Sequence, residues 1–195
     1  MEDLQDEIER QLGCCMLRLQ QYERLLKKMM SVMAIAGPAE RLEAARDRRA
    51  AGMRGRTLGA LVREFLDQHL ASASSEAAPT KAEGGHPDLP YASIHITLSM
   101  SSEKEVQIRD GLAELVKLRN DLVHHLYEHF DLSSDTGRAA MAHHLESCHA
   151  RIDGHYRLLH AWATQVARSQ ALALSVIQSP EFEQAFVHGV LPTAQ

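Results

Sequence analysis

Apolar residues recur at spacings of three and four over most of this chain, which is the period of an α-helix with one buried face. The clearest run covers residues 2–35, and similar stripes follow in residues 58–71, 102–130 and 136–176. Aromatic residues make up only 5% of the sequence, while side chains that lose little rotamer freedom in a helix are plentiful. These patterns predict an all-α fold, an antiparallel bundle of about five helices.

Capping residues and helix breakers set the expected ends of these helices. Gly37-Pro38 is expected to end or bend the first helix. Thr57 is placed to cap the helix over residues 58–71. Ser102, with Glu105 three residues later, fits a capping box for the helix that runs to about residue 130.

Two segments lack the helical period. Residues 72–90 are rich in Ser, Ala, Gly and Pro and are expected to form a flexible loop. Residues 91–100 alternate between apolar and polar side chains, which predicts a short extended segment. No partner strand is evident, so this segment is expected to lie as a strap on the helices. The whole chain, residues 1–195, is predicted to form one helical domain.

The net charge is −5, so only a local patch can meet a polyanion. The strongest basic stretch is residues 41–56, in and after a predicted helix over residues 39–51, and it carries six arginines against two carboxylates. One interpretation is contact with an RNA backbone. The other is a solvated helix with internal ion pairs. The candidate RNA-binding positions are 45 (Ala45, directly before Arg46), Arg48, Arg49, Arg54 and Arg56.

No secretory signal or membrane contact is expected. The first ten residues carry five carboxylates, and the longest apolar stretch, residues 29–37, is far too short to span a bilayer. Cys14, Cys15 and Cys148 do not form a disulfide framework, which favours a reducing compartment. These features predict a cytoplasmic protein.

The helix predicted over residues 102–130 carries an arginine where an apolar residue is expected. Advancing about 100° per residue places Arg119 at the centre of the apolar stripe. A buried permanent charge is costly unless it is paired. Arg119 therefore either pairs with a carboxylate on a neighbouring helix or binds an anion in a cleft or subunit interface. His124 falls about 140° away, so the two residues converge only across a groove or a two-fold interface.

The sequence Arg119-Asn120-x-x-x-His124, with Tyr127 shortly after it, resembles the R-x(4–6)-H signature of HEPN domains. A polar residue directly after the arginine, and a position late in a long bundle helix, are typical of that family. The resemblance implies an all-α bundle that forms a homodimer with the motif helices at the interface. It also implies a metal-independent endoribonuclease without a cofactor. Such a protein is often a toxin with a cognate antitoxin, or a phage-defence effector.

The residue types of the motif suit this chemistry. RNA cleavage without a metal needs a group that takes the 2′-hydroxyl proton and a charge that stabilises the phosphorane. A histidine such as His124 fits the role of general base or acid. An arginine such as Arg119 fits the role of phosphate clamp, because its fork matches phosphate oxygens. Asn120 is placed to orient the phosphate or the histidine, and candidate supporting residues are Asp121, His125 and Tyr127.

Other residues fit the same spacing. His125 also lies within range of Arg119, so the motif histidine is not unique. Two further pairs match, but one arginine lies off its helix stripe and the other in or beside a turn: Arg63 with His69, and Arg138 with His143 or His144. Only Arg119 combines an asparagine neighbour, an apolar helix face and a long helix.

Two functions other than RNA cleavage stay open. Asp121-x-x-His124 and Glu146-x-x-His149 place candidate ligands on shared helix faces, as in metal-binding bundles, although two further inward glutamates are missing. A non-catalytic dimeric adaptor or scaffold would keep the bundle and use Arg119 to bind a nucleotide, RNA or protein.

Overall fold

The computed structural model describes residues 2–38, 41–72 and 91–180, together with residues 182 and 184. Within these residues the fold consists of five α-helices and four short strands, so the prediction of an all-α bundle is confirmed. None of the described helices is long and apolar enough to cross a membrane. The helices are α1 (Glu2–Met33), α2 (Leu42–Gly52), α3 (Leu58–Gln68), α4 (Ser102–Asn120) and α5 (Asp135–Ile177). The strands are β1 (Ala34–Pro38), β2 (Leu70–Ser72), β3 (Tyr91–His95) and β4 (Leu98–Met100).

The two longest helices, α1 and α5, pack along each other and bury one face each. α5 is continuous over 43 residues, so the long last helix predicted over residues 136–176, for which a break was left open, has no break. The third helix joins this core through Phe65, whose ring stacks on Trp162 with 5.8 Å between the centroids. Burial of a large apolar side chain stabilises a fold by about 1.5–3 kcal/mol. The buried residues of α5 are Met141, Leu145, Cys148, Ile152, Leu159, Trp162 and Val166.

The extended segment has partner strands, contrary to the prediction. β3 pairs antiparallel with β1, with Ile94 opposite Ile35, and β4 pairs parallel with β2. β1 was hidden because its residues directly continue the apolar stripe of α1. Gly37-Pro38 lies inside this strand and does not end the helix; α1 ends at Met33. The segment between β3 and β4 is tied to the end of α1, because Ile96 N donates to Met33 O at 2.7 Å.

Several predicted boundaries shift by a few residues. Thr57 caps α3 as predicted, with its Oγ1 accepting from Ala60 N at 3.4 Å. α3 ends before the predicted residue 71 because β2 begins at Leu70. The cap of α4 is Ser101, whose hydroxyl accepts from Lys104 N at 3.3 Å, so the choice of Ser102 was wrong by one residue. Nearly all of the loop predicted over residues 72–90 lies outside the described residues.

The motif helix changes its geometry at the motif. α4 stops at Asn120 and is followed by a π-helical turn over Asp121–His125 and a 3-10 turn over Leu126–Glu128, in place of an α-helix to residue 130. Leu122 and Leu126 remain buried, so the wider turn does not interrupt the packing against the core. The apolar stripe therefore continues through the π turn, but the side chains between Leu122 and Leu126 take directions that differ from those of an α-helix.

Candidate active site

The π turn begins directly after Arg119-Asn120. In a straight α-helix, residues five positions apart point about 140° from each other. A π turn closes i→i+5 hydrogen bonds, which brings residues five positions apart towards the same face, and such turns are frequent at functional sites. The local geometry therefore reduces the angular separation of Arg119 and His124 that an ideal helix imposes.

Arg119 is partly buried. The prediction that it lies at the centre of the buried face is wrong. That centre is occupied by Leu115 and Leu118, which are almost fully buried, so the stripe runs to one side of the arginine. Arg119 Nη1 donates to Asn120 Oδ1 at 3.2 Å. No carboxylate of the described residues forms an ion pair with Arg119, so the structural salt bridge is not found. The guanidinium therefore has four further N–H donors to offer to an anion.

Both motif histidines are exposed. The rings of His124 and His125 meet edge to face with 6.2 Å between centroids. His125 Nδ1 lies 3.0 Å from Glu128 Oε2, whereas no hydrogen bond within the described residues occupies His124. Within one chain the structure records no contact between Arg119 and His124. His124 is thus the motif histidine that is free to meet a ligand.

Asp121 lies on the other side of the turn, towards α5. Burial lowers the pKa of His144, the charges of Arg151 and His129 lower it further, and the Asp121 carboxylate opposes them. His144 Nε2 lies 3.3 Å from Cys148 Sγ, and burial raises the pKa of that thiol. The Asp121 carboxylate thus lies near enough to α5 to act electrostatically on His144 and Cys148.

The remaining supporting residue, Tyr127, lies on the exposed face. Its exposed fraction is 65%, and that of Val123, inside the π turn, is 39%. Apolar side chains that stay exposed next to a candidate site are suited to contact another macromolecule. Tyr127 and Val123 therefore extend the surface that carries His124.

The metal-binding pairs do not assemble into a larger group. Glu146 lies 3.8 Å from His143, whereas the predicted partner was His149. Across the described ranges, no three His, Cys, Asp or Glu side chains lie close enough to hold a metal ion together. This structure therefore lends no support to a metal centre at Asp121 and His124.

Three arginines of the basic stretch are paired with carboxylates. Arg49 Nη2 lies 3.1 Å from Glu64 Oε1 on α3, and Arg56 pairs with the other oxygen of the same carboxylate. Arg46 pairs with Asp47 at 3.0 Å. Arg46–Asp47 is thus an ion pair internal to the stretch, whereas Arg49 and Arg56 are neutralised from α3 by Glu64, a partner that the prediction of internal ion pairs did not include.

Of the other predicted RNA-binding positions, one was not an arginine and two are arginines without an ion pair among the described residues. The choice of position 45 was wrong, because Ala45 has no charge and packs, half-buried, against the small apolar cluster that contains Ile35 and Leu42. Arg48 and Arg54 are exposed and form no ion pair among the described residues. Of the five predicted positions, these two arginines are the ones left to meet an anion.

The competing arginine–histidine pairs have other surroundings. Arg138 Nη1 donates to Leu132 O at 2.6 Å, and its Nη2 pairs with Asp135. These bonds hold the loop that leads into α5. His69, the histidine of the other pair, is fully buried. Arg119 with His124 is therefore the pair in which the histidine is exposed and the arginine lacks a carboxylate.

Three residues that organise polar parts of this fold were not predicted in these roles from the sequence: Glu64, His69 and His95. Glu64 neutralises two arginines from outside its own helix, and no spacing rule marks it. His69 and His95 lie with their rings 5.4 Å apart, although 26 positions separate them in the chain. Only the strand pairing brings them together. The end of a short helix followed by apolar residues was the one local hint for His69.

Comparisons with protein-family models, curated proteins and solved structures find no match to this chain. Its function is therefore inferred from its own residues and their geometry.

Proposed function

We propose that this protein is a HEPN-like, metal-independent endoribonuclease that works in the cytoplasm as a homodimer, as a toxin with a cognate antitoxin or as a phage-defence effector. One observation carries the proposal. The π turn at Asp121–His125 follows Arg119-Asn120 directly and carries an exposed His124, and the partly buried guanidinium of Arg119 has no carboxylate partner among the described residues. A permanent charge held on a helix without a counter-ion is suited to bind an anion.

The reaction follows from the residue types. His124 takes the proton of a ribose 2′-hydroxyl as general base, and the 2′-oxygen forms a bond to the adjacent phosphorus. The bond from phosphorus to the 5′-oxygen breaks, and that oxygen takes a proton from water or from His125. Arg119 binds the non-bridging oxygens as negative charge builds up on them. The products are a 2′,3′-cyclic phosphate and a 5′-hydroxyl end.

Asn120 has a positioning role in this scheme. Its Oδ1 accepts from Arg119 Nη1, so it fixes the guanidinium plane relative to the start of the π turn. Because Asn120 occupies one N–H of Arg119, the other edge of the guanidinium stays available to the phosphate. This arrangement favours binding through the edge that faces away from Asn120.

A second copy of the chain completes the site in this proposal. Arg119 and His124 make no contact within one chain, and Val123 and Tyr127 leave apolar surface exposed next to them. A two-fold axis near the π turn would cover these side chains and bring the arginine of one protomer towards the histidine of the other. Obligate dimers commonly bury apolar residues of this kind.

The test is cleavage of single-stranded RNA by the purified protein in the presence of a chelator, with the ends of the products identified. The expected result is cleavage that continues in chelator and leaves 2′,3′-cyclic phosphate and 5′-hydroxyl ends. Cleavage that stops in chelator would refute the metal-independent mechanism. RNA bound but left intact would favour the alternative of a non-catalytic adaptor.

A further inference from the structure

A second candidate site lies in an open cleft of about 1100 Å³ between α2, the end of α3 and the β1–β3 pair. Its floor is formed by apolar side chains of the two strands. Polar side chains line the rest: Arg48, Arg49, Gln68, Ser93 and His95. The cleft thus combines an apolar floor with two guanidinium groups, which is the composition of a site for a small polar ligand.

The cleft is separate from the π turn. α3 runs antiparallel to α4, because Gly59 at its start approaches Val116 while Leu66 O near its end accepts from Arg109 Nη2 at 3.2 Å. The cleft lies at the far end of α3, towards the beginning of α4. The π turn follows the other end of α4, which has 19 residues and is therefore roughly 28 Å long.

Positive charge exceeds negative charge in the cleft. Glu64 is the one carboxylate that pairs with Arg49 among the described residues, and it also pairs with Arg56. Burial lowers the pKa of Arg49, and the nearby charge of Arg56 lowers it further. Arg48 is exposed and has no ion pair within the described ranges, because the neighbouring Asp47 pairs with another arginine. Arg49 Nε also donates to Met30 O at 3.2 Å, so Arg49 is held in place by Glu64 and α1 while Arg48 carries the unpaired charge of the cleft.

A buried histidine, His69, lies behind the cleft next to His95. His69 is fully buried, and its Nδ1 lies 3.2 Å from Ile96 O. Since a carbonyl oxygen only accepts, Nδ1 carries the proton, and Nε2 keeps a lone pair. That Nε2 is buried without a hydrogen-bond partner in the described part of the chain. The ring lies 5.4 Å from the ring of His95, which lines the cleft. His69 itself does not line the cleft, so the imidazole that faces a ligand on this side is that of His95.

We propose that this cleft binds a small phosphorylated molecule of the sugar phosphate or nucleotide class. Its phosphate lies on Arg48 and Arg49, and a hydroxyl or amino group lies on the side of His95. Guanidinium forks bind phosphate oxygens through paired N–H donors, and a phosphate monoester carries close to two negative charges for the two arginines of the cleft. No Phe, Tyr or Trp among the described residues lines the cleft, so successive bases of an RNA strand would find little stacking surface there. This site is independent of the proposed ribonuclease.

Isothermal titration calorimetry of the full chain tests the proposal, with adenosine 5′-monophosphate and ribose 5-phosphate as probes and adenosine as the unphosphorylated control. We expect saturable binding of one or both phosphorylated probes and at least about tenfold weaker binding of adenosine. Arg48→Gln removes an exposed guanidinium of the cleft and should weaken binding about tenfold or more. Arg54→Gln removes an equally exposed arginine outside the cleft and should leave binding unchanged. His95→Gln should weaken binding less than Arg48→Gln does.

Three results would overturn the proposal. One is the absence of saturable binding of both phosphorylated probes up to about 10 mM. Another is an equal loss of binding in Arg48→Gln and Arg54→Gln, which would indicate general charge attraction. In the third, the protein binds an oligoribonucleotide but neither small probe, and this binding weakens in both variants and with added salt. That result would make the arginines an RNA backbone contact. Because the readout is binding of small molecules, failure here is distinct from failure of RNA cleavage.

Discussion

The guanidinium of Arg119 donates to the side-chain oxygen of Asn120 at 3.2 Å, and not to a carboxylate of a neighbouring helix. A neutral amide leaves the positive charge uncompensated. The same asparagine is the last residue of α4, directly before the π turn that carries His124. The unpaired charge of Arg119 therefore lies directly before the change from α-helix to π turn at Asp121.

Two inactive variants are expected to restore activity to each other if the site is shared. In a mixed dimer of Arg119→Ala and His124→Ala, one of the two sites receives the intact arginine of one protomer and the intact histidine of the other. Random exchange makes about half of the dimers mixed, and each mixed dimer has one intact site of two, so mixing the purified variants should recover up to about a quarter of the parental activity. RNA cleavage before and after mixing measures this. No recovery, with mixed dimers demonstrated by mass spectrometry, would place both residues of a site in one chain.

The cysteines are expected to differ in reactivity. Burial raises the pKa of Cys15 to about 12, and it raises the pKa of Cys148 as well. The thiolate is the reactive form, so both should resist a thiol reagent near pH 8 in the native protein. Cys14 is partly exposed and should react first. Titration with a chromogenic disulfide should show one accessible thiol, and all three only after unfolding. Rapid modification of Cys148 in native protein would speak against the buried packing of α5.

Stability should fall when the pH drops through the range in which His69 must take up a proton. Burial lowers the pKa of His69 from 6.5 to about 4. The unfolded chain therefore binds this proton first, so the stabilisation is complete above about pH 6.5 and is lost as the pH falls towards about 4, by on the order of 2–3 kcal/mol. Urea unfolding at several pH values measures this, and His69→Gln should flatten the profile. His143→Gln, an exposed control, should keep it. A parental profile that is already flat below pH 6.5 would contradict a buried neutral His69.

Two glycines of α5 are expected to respond oppositely to alanine. A Cβ at Gly137 would collide with the carbonyl oxygen of Asp131, in the loop between the motif and α5. Gly137→Ala should therefore destabilise the fold by about 2 kcal/mol or more. Gly154 has open space around its Cβ position, so Gly154→Ala should stabilise the helix by about 0.5–1 kcal/mol. The free energy of unfolding in urea distinguishes them, and a tolerated Gly137→Ala would show that this loop is not packed as described.

The helices could be predicted from sequence because their apolar residues repeat with one period, as in the long unbroken stripe of α5. The strands could not be predicted in full. β1 continues the apolar run of α1, and its partner β3 lies more than 50 residues further along the chain, so only tertiary pairing reveals it. The proximity of His69 to His95 also depends on tertiary strand pairing, so it could not be predicted from the sequence either.

The candidate site could be predicted in part. The positions of Arg119 and His124 follow from the motif, and their exposure does not. An ideal helix of constant period places Arg119 at the centre of the stripe, but Leu118 takes part of that position and the chain widens into a π turn after Asn120. A local change of period is set by packing on both sides of the helix, which a single stretch of sequence does not encode.

The most direct measurement of the central claim is the single-turnover rate of RNA cleavage, in chelator, for the parent and three variants. We expect His124→Ala to lower the rate by about 10²–10⁴-fold, because a general base is removed. Arg119→Ala should lower it by about 10²–10³-fold, because the phosphorane loses its charge partner. His143→Ala, which removes an exposed histidine of α5, should cleave at the parental rate. Equal rates for the parent, His124→Ala and Arg119→Ala would contradict the assignment of this site.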